Sequence, residues 1–430
     1  MATFPRDLFP KLALSADEED EFAIIANGIV KKTVQQYIEH LTTYNGVVDD
    51  KQWRQVKHRD NMRVYRERNV ASRHRLARAL AGGDTSDDNV IAKETPDVLT
   101  VGSIEGALDD FMYGALNPTT AAAMLRTAYV EDGFVHSEVL ASIIQPTQKS
   151  PFRELDIKWT VKTYPSLFGA TTRTLDAVYL ESIGYAFTPS GERIGFHIHH
   201  SITLPAIREL SELQVIRTEL SFCHLFRQLQ DNVIEVFARG HVTPTEASGM
   251  STTAALAADM TVTLWKNLHC AEVKKFVRVL RRALQLQSAP AITSSTDSSS
   301  DESHRAPAPT SGPCSVCSEG GSRRMSILSF SGKAEPCHLC RQNVCARCRV
   351  IKLLYLQPSA PDIATLKESA TTLMVCKPCA DRVTHADSCK FAENDAVRLD
   401  ASNPEAAEFG LDFVDSLLPP ALQAQRQTKI

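Results

Sequence analysis

The chain has 430 residues, 43% of them apolar and 23% charged, with a formal net charge of −4. That length accommodates two or three domains, and the balance is that of a water-soluble globular protein. It offers no bulk positive charge to recruit nucleic acid, and no apolar run approaches the ~18–20 residues that span a bilayer.

The first twenty residues, MATFPRDLFPKLALSADEED, contain no apolar h-region. No secretory signal is expected, and the chain is expected in the reducing cytoplasm. Ser15-Ala16-Asp17-Glu18 has capping-box spacing, and Phe22, Ile25, Ile29, Val34 and Ile38 recur close to helical period, so the body opens with a helix. Strand character follows at Met62–Tyr65, Val98–Ser103, Asp156–Lys162, Ala177–Tyr185, Arg193–Leu204 and Val233–Val242. Helical patterns interrupt it at Ile104–Tyr113 and Thr120–Ala128. Residues Ser251–Leu286 read as one helix, about 50 Å long at 1.5 Å per residue. Leu256, Met260, Leu264 and Leu268 lie four apart, and Val273, Val277, Leu280 and Leu284 continue the stripe. Such a stripe needs a broad partner, for example the concave face of a curved antiparallel sheet. The order predicts an α+β fold with a helix gripped by a sheet, the stripe either packing as core or roofing an apolar cavity.

Between Ser288 and Gly312 the chain has eight serines, three prolines and Ile292 as its one bulky aliphatic residue. That composition cannot offset its ordering entropy, so it reads as a flexible linker and a phosphorylation target. Beyond it, eight of the eleven cysteines form four CxxC pairs: Cys314/Cys317, Cys337/Cys340, Cys345/Cys348 and Cys376/Cys379. Two thiolates at that spacing curl round one tetrahedral ion, so eight imply two closed, structural zinc sites. Cys223, Cys270 and Cys389 are expected to be small apolar or incidental residues. In the tail, Glu405–Leu418 has the pattern of a weak amphipathic helix.

Three other signals have bland readings. In Phe196-His197-Ile198-His199-His200 the first and second histidines share a strand face, but no carboxylate or thiol accompanies them at ligand spacing; a structural role is expected. The run Arg54, Lys57, His58, Arg59, Arg63, Arg66, Arg68 lacks interleaved aromatics and reads as a solvated face rather than a nucleic-acid site. No GxSxG, Walker, Rossmann or HExxH string is present, so enzymatic activity is not expected.

Several strings resemble START-like lipid-binding domains of the helix-grip superfamily. Trp53-Arg54-Gln55-Val56 with Met62-Arg63-Val64-Tyr65-Arg66-Glu67 is similar to the first strand region, and Gly102-Ser103-Ile104-Glu105 to the turn into the next helix. Asp176-Ala177-Val178-Tyr179-Leu180-Glu181 is similar to the central aromatic-rich strand, and Thr252–Leu284 takes the place of the C-terminal lid. The resemblance covers roughly residues 15–288 and implies a hydrophobic tunnel for one lipid or sterol-sized ligand. That family has no invariant ligand motif, so lining residues stay unknown.

The cysteine order, with gaps of 19, 4 and 27 residues between pairs, resembles FYVE-type and FYVE-related fingers. The resemblance implies cross-bracing: Cys314, Cys317, Cys345 and Cys348 would hold one zinc, and Cys337, Cys340, Cys376 and Cys379 the other. The chain departs from that family where lipid is read. No tryptophan stands near the first pair, Lys333-Ala334-Glu335-Pro336-Cys337 keeps one cation of the basic string, and Met374 replaces the arginine before the fourth pair. A phosphate headgroup needs several converging cations, so high-affinity recognition of phosphatidylinositol 3-phosphate is not expected. Residues 314–385 still hold ten Lys/Arg against five Asp/Glu. Arg323-Arg324 beside Met325, Ile327, Leu328 and Phe330 are compatible with weak attraction to anionic membrane, or with apolar packing on the zinc core.

The expected organisation is a START-like domain at 1–288, a linker at 289–312, a FYVE-related finger at 313–385 and a tail at 386–430. The expected function is non-catalytic lipid binding or sensing, with the finger docking to an anionic or endosomal membrane or to a protein partner, and without nucleic acid. The alternatives are a RING-like ubiquitin ligase, against which the four-residue gap leaves no histidine ligand between the second and third pairs, and a scaffold whose START-like body is packed solid.

Overall fold

The computed structural model describes residues 4, 8–68, 97–131, 133–165, 172–243, 258, 263–288, 313–317, 334–355, 362–399, 409–420 and 423. The expected linker at 289–312, the apolar loop at 325–330 and most of 251–262 lie outside them. By contact the chain forms two units, residues 1–271 with 357–368, and residues 272–356 with 369–430.

The first unit opens with helix α1 (Ala16–Thr42), which starts at the predicted capping box. The Glu18 N–H donates to Ser15 Oγ, and the Ser15 N–H donates to the Glu18 carboxylate. Its buried face is Ala26, Val30, Val34 and Tyr37, with Phe22, Ile25 and Ile29 half-buried around it. Then come β1 (Trp53–Arg59), β2 (Met62–Glu67), β3 (Val98–Glu105), α2 (Leu108–Ala115), α3 (Thr120–Val130), β4 (Phe134–Ile144), β5 (Glu154–Pro165), β6 (Thr172–Phe187), β7 (Arg193–Ser201), β8 (Val215–Arg217), β9 (Leu220–Gln230) and β10 (Val233–Val242). The strands form one sheet in the order β1-β2-β3-β10-β9-β7-β6-β5-β4, antiparallel throughout except that β8 pairs β6 in parallel. The architecture is α+β, as expected. Strands β4 and β9 did not stand out in the sequence because buried polar residues (Ser137 and Glu138; His224) interrupt their apolar pattern.

The two faces of the sheet differ in chemistry. One packs under α1 in an apolar core that includes Leu155, Ile157, Trp159, Val161, Val178, Leu180, Ile198 and Leu225, with Phe9 edge-on to Trp159 at 5.0 Å. The alternation of β5 puts Glu154, Asp156, Lys158 and Thr160 on the other face, and all four are also buried.

Helix α4 (Lys266–Ser288) departs from the expected helix gripped whole by the sheet. Only its start, Lys266–Ala271, belongs to the sheet's unit; from Glu272 it belongs to the second. Its polar flank explains this. The Lys275 ammonium, 1% exposed, donates to the carbonyls of Thr384 and Ala386, Glu272 pairs with Lys352, and Arg282 makes a bidentate pair with Asp415. Val273, Val277 and Leu280 are buried as the stripe predicts, while Leu284 is 48% exposed. The contact division thus falls after Ala271 rather than at the linker after Ser288. Residues 357–368, including α5 (Ile363–Glu368), cluster with the first unit, where α5 meets α3 and β4.

The second unit contains two small hairpins, β11 (Glu335–Pro336) with β12 (Asn343–Val344) and β13 (Arg349–Tyr355) with β14 (Ala370–Cys376). Helices α6 (Lys377–Thr384), α7 (Ser388–Leu399) and α8 (Leu411–Ser416) follow. The expected weak helix in the tail is α8, and Phe391 meets Phe413 edge-on at 5.1 Å. The tail is therefore integral to this unit.

Candidate metal centres and candidate ligand pocket

The eight paired cysteines gather into two groups of four: Cys314, Cys317, Cys345 and Cys348, and Cys337, Cys340, Cys376 and Cys379. Within each, the sulfurs lie within 4.8 Å of one another. The hairpins account for the grouping. The turn of β11–β12 carries the second pair, and β12 leads straight into the third. Register then places Arg349 opposite Cys376, returning the fourth pair to the second. At Zn–S ≈ 2.3 Å a tetrahedral ion separates its sulfurs by about 3.8 Å. Cys317 to Cys345 and Cys340 to Cys376 are each 3.8 Å, so the donor sets fit zinc. Backbone N–H groups of Cys340 and Cys376 point at Cys337 Sγ, 3.5 and 3.3 Å away, a geometry that stabilises a thiolate. His338, inside the second pair, is used otherwise: its Nδ1 accepts from the Met374 N–H at 3.0 Å, and its backbone N–H donates to the Met374 carbonyl. Cys223 and Cys270 are buried outside both groups; burial pushes the Cys223 thiol up to about 12, so it behaves as an apolar side chain.

The first unit contains a pocket lined by Ala123, Phe134, Leu175, Ala177, Leu220 and Leu264 on its apolar side. Asn117, Arg126, Lys162, Tyr179, Glu181, His199 and His224 supply its polar side, and its cavity volume is about 70 Å³. The polar floor is the second face of the sheet. Lys158, fully buried, sits 2.7 Å from Glu154 Oε1, 2.6 Å from Glu181 Oε2 and 3.3 Å from Asp156 Oδ2. It also donates to Asn117 Oδ1 at 2.6 Å and to the Asn117 carbonyl at 2.9 Å. Five oxygens thus surround one ammonium with three protons. Burial disfavours the Glu181 carboxylate, but Lys158 and the neighbouring imidazoles outweigh it and hold the carboxyl well below its ordinary range. Asp156 has no such surplus: burial, aided by Glu154, pushes it up to about 8 despite Lys158.

The histidines expected to be structural have a carboxylate beside them after all. Glu181 faces His199 across β6–β7, and its Oε1 is 2.6 Å from His197 Nε2 and 3.3 Å from His199 Nε2. Sequence spacing hid this because the acid comes from the neighbouring strand, sixteen residues away from His197. The signal that could have found it is the period of two in Tyr179, Glu181 and Ile183 set against that in His197 and His199. Burial, followed by repulsion from His199, lowers His197 to about 3, and burial keeps His224 neutral.

No protein-family model matches the chain, and no curated protein matches it. Among solved structures it is similar to human StAR-related lipid transfer protein 5 (12% identity, covering 60% of this chain and 99% of that one, TM-score 0.36). It is similar as well to the human StarD13 lipid transfer and protein localization domain (10%, 60% and 98%, TM-score 0.34) and to human STARD10 (9%, 55% and 78%, TM-score 0.34).

Proposed function

We propose that the first unit is a non-catalytic binding domain for a small amphipathic lipid-like molecule, and that the second is held together by two zinc ions. The observation that carries the first part is the pocket's division into an apolar wall and a polar floor. Ligand pockets have this composition: apolar lining for affinity, a few fixed polar groups for orientation. The apolar body would lie along Phe134, Leu175, Leu220 and Leu264, with the polar end toward Glu181, His199 and His224. A cavity of about 70 Å³ is well below the ~300–1,000 Å³ of ordinary ligand pockets. Uptake therefore requires the Thr263–Leu264 side to move outward, and no covalent bond is made or broken.

The second part rests on the donor sets, whose sulfur separations match tetrahedral zinc. Bound there, zinc supplies folding free energy rather than chemistry. The expected site of action is the cytoplasm, with the second unit docking to a protein or an anionic membrane. No helix among the described residues is long and apolar enough to cross a membrane.

The test is extraction of the purified full chain and mass spectrometry of what co-purifies, followed by uptake from liposomes. Bound lipid in the wild type, lost in Leu175→Trp at a half-buried position of the pocket wall, is the expected result. Absence of any lipid together with absence of uptake refutes the binding reading, and leaves the solid scaffold in its place. Elemental analysis checks the metal: two zinc per chain are expected.

A further inference from the structure

We infer that Glu181, His197 and His199 form a third metal site, for a divalent transition-metal ion, in the floor of the first unit's pocket. Two imidazoles and one carboxylate are the donor set that suits Zn²⁺, Co²⁺ or Fe²⁺ and leaves coordination positions open. All three ligand atoms lie within 4.8 Å of one another. Ions bound at 2.0–2.2 Å by nitrogen and oxygen keep tetrahedral ligands about 3.4 Å apart. The His199 Nε2 to Glu181 Oε1 distance is 3.3 Å, already at that separation. The His197 Nε2 distance of 2.6 Å has to open by less than 1 Å, a small rotation of one imidazole.

Two independent observations point to an ion. First, the Glu154 and Glu181 carboxylates, each at most 2% exposed, share the single bonded ammonium of Lys158, while Asp156 beside them keeps its proton. Buried charges are normally matched, and two carboxylates here have one directly bonded ammonium between them. Second, His224, 3% exposed and also lining the pocket, has an Nε2 with no hydrogen-bond partner. Its ring centre is 6.2 Å from that of His199 and 6.4 Å from that of His197. That leaves an unused polar atom in the pocket lining beside the two other imidazoles. Rigid sheet positions hold all the donors: Glu181 on β6, the histidine pair on β7, and His224 opposite His197 on β9.

The test uses metal alone, so its outcome is separate from that of the lipid reading. The full chain, purified with two zinc ions per molecule and with no zinc added, is titrated with Co²⁺. We expect one additional saturable equivalent, with ligand-field absorption but without the thiolate-to-cobalt charge-transfer bands of a cysteine site. His199→Asn, at the most exposed of the three ligands, should weaken that equivalent at least tenfold while the two zinc ions remain. Glu181→Gln should do the same. A wild-type chain that takes up no third equivalent overturns the site, whatever the variants do. So does a third equivalent whose affinity and spectrum are unchanged in His199→Asn.

Discussion

Replacing Lys158 by methionine tests whether the buried ammonium holds the polar floor together. The side chain is fully buried and its Nζ meets Glu154, Glu181 and Asp156 at 2.7, 2.6 and 3.3 Å. Methionine keeps the volume and removes the charge. Asp156 tolerates this best, since it already holds a proton near neutral pH, but Glu154 and Glu181 would be left uncompensated. Breaking a buried pair by removing one partner costs about 3–5 kcal/mol. For a domain of this size that is a fall in melting temperature of roughly 10 °C. All three tryptophans, Trp53, Trp159 and Trp265, lie in the first unit, so urea unfolding followed by tryptophan fluorescence reports on that unit alone. The triple variant Lys158→Met, Glu154→Gln, Glu181→Gln should recover most of the loss, because the orphaned charges are gone. A Lys158→Met loss below about 1 kcal/mol would refute the reasoning, since it would mean the carboxylates do not depend on the ammonium.

Asp156→Asn gives a pH signature. Burial raises the native carboxyl to about 8, so between pH 4 and 8 the unfolded chain has released a proton that the folded chain retains, and wild-type stability falls as pH rises through that window. The amide is neutral throughout; its stability relative to wild type should therefore climb with pH, by at most about 1.4 kcal/mol per unit, in urea titrations at pH 5, 6.5 and 8. Cys337→Ser should lower zinc content from two ions toward none, because the donor sets are interleaved; a variant retaining one ion and a folded second unit would contradict that. Two glycines should respond with opposite sign. A Cβ on Gly114 collides with the Asn267 carbonyl, so Gly114→Ala should cost about 1–3 kcal/mol, whereas exposed Gly28 in α1 has open space around it and Gly28→Ala should gain roughly 0.5–1 kcal/mol by calorimetry.

What could be read in advance follows from how local each feature is. The α1 capping box is a four-residue contact, and the CxxC pairs are ligands on a single turn, so both stand out without tertiary context. Strands with apolar alternation, such as β6 and β10, were equally plain. The polar floor was not. Lys158, Glu181, His197 and His224 come from four strands, and only register brings them together. A strand whose two faces are both buried, one apolar and one charged, has the sequence of a strand with a solvated side. The fate of α4 was hidden for a similar reason: its apolar stripe asks for a partner but does not say which, and Lys275 and Arg282 find theirs more than a hundred residues later.

The interleaving of the cysteine groups has a mechanical consequence. Residues 318–344 separate the two halves of the first group, and residues 341–375 separate the two halves of the second. With both ions bound, a cut between the two halves of a group would divide the polypeptide without dividing the particle, since the ion of that group ties together chain from both sides of the cut. The ions would act as removable staples. A nicked module would migrate as one species under native conditions and separate into fragments on chelation, without any disulfide being reduced.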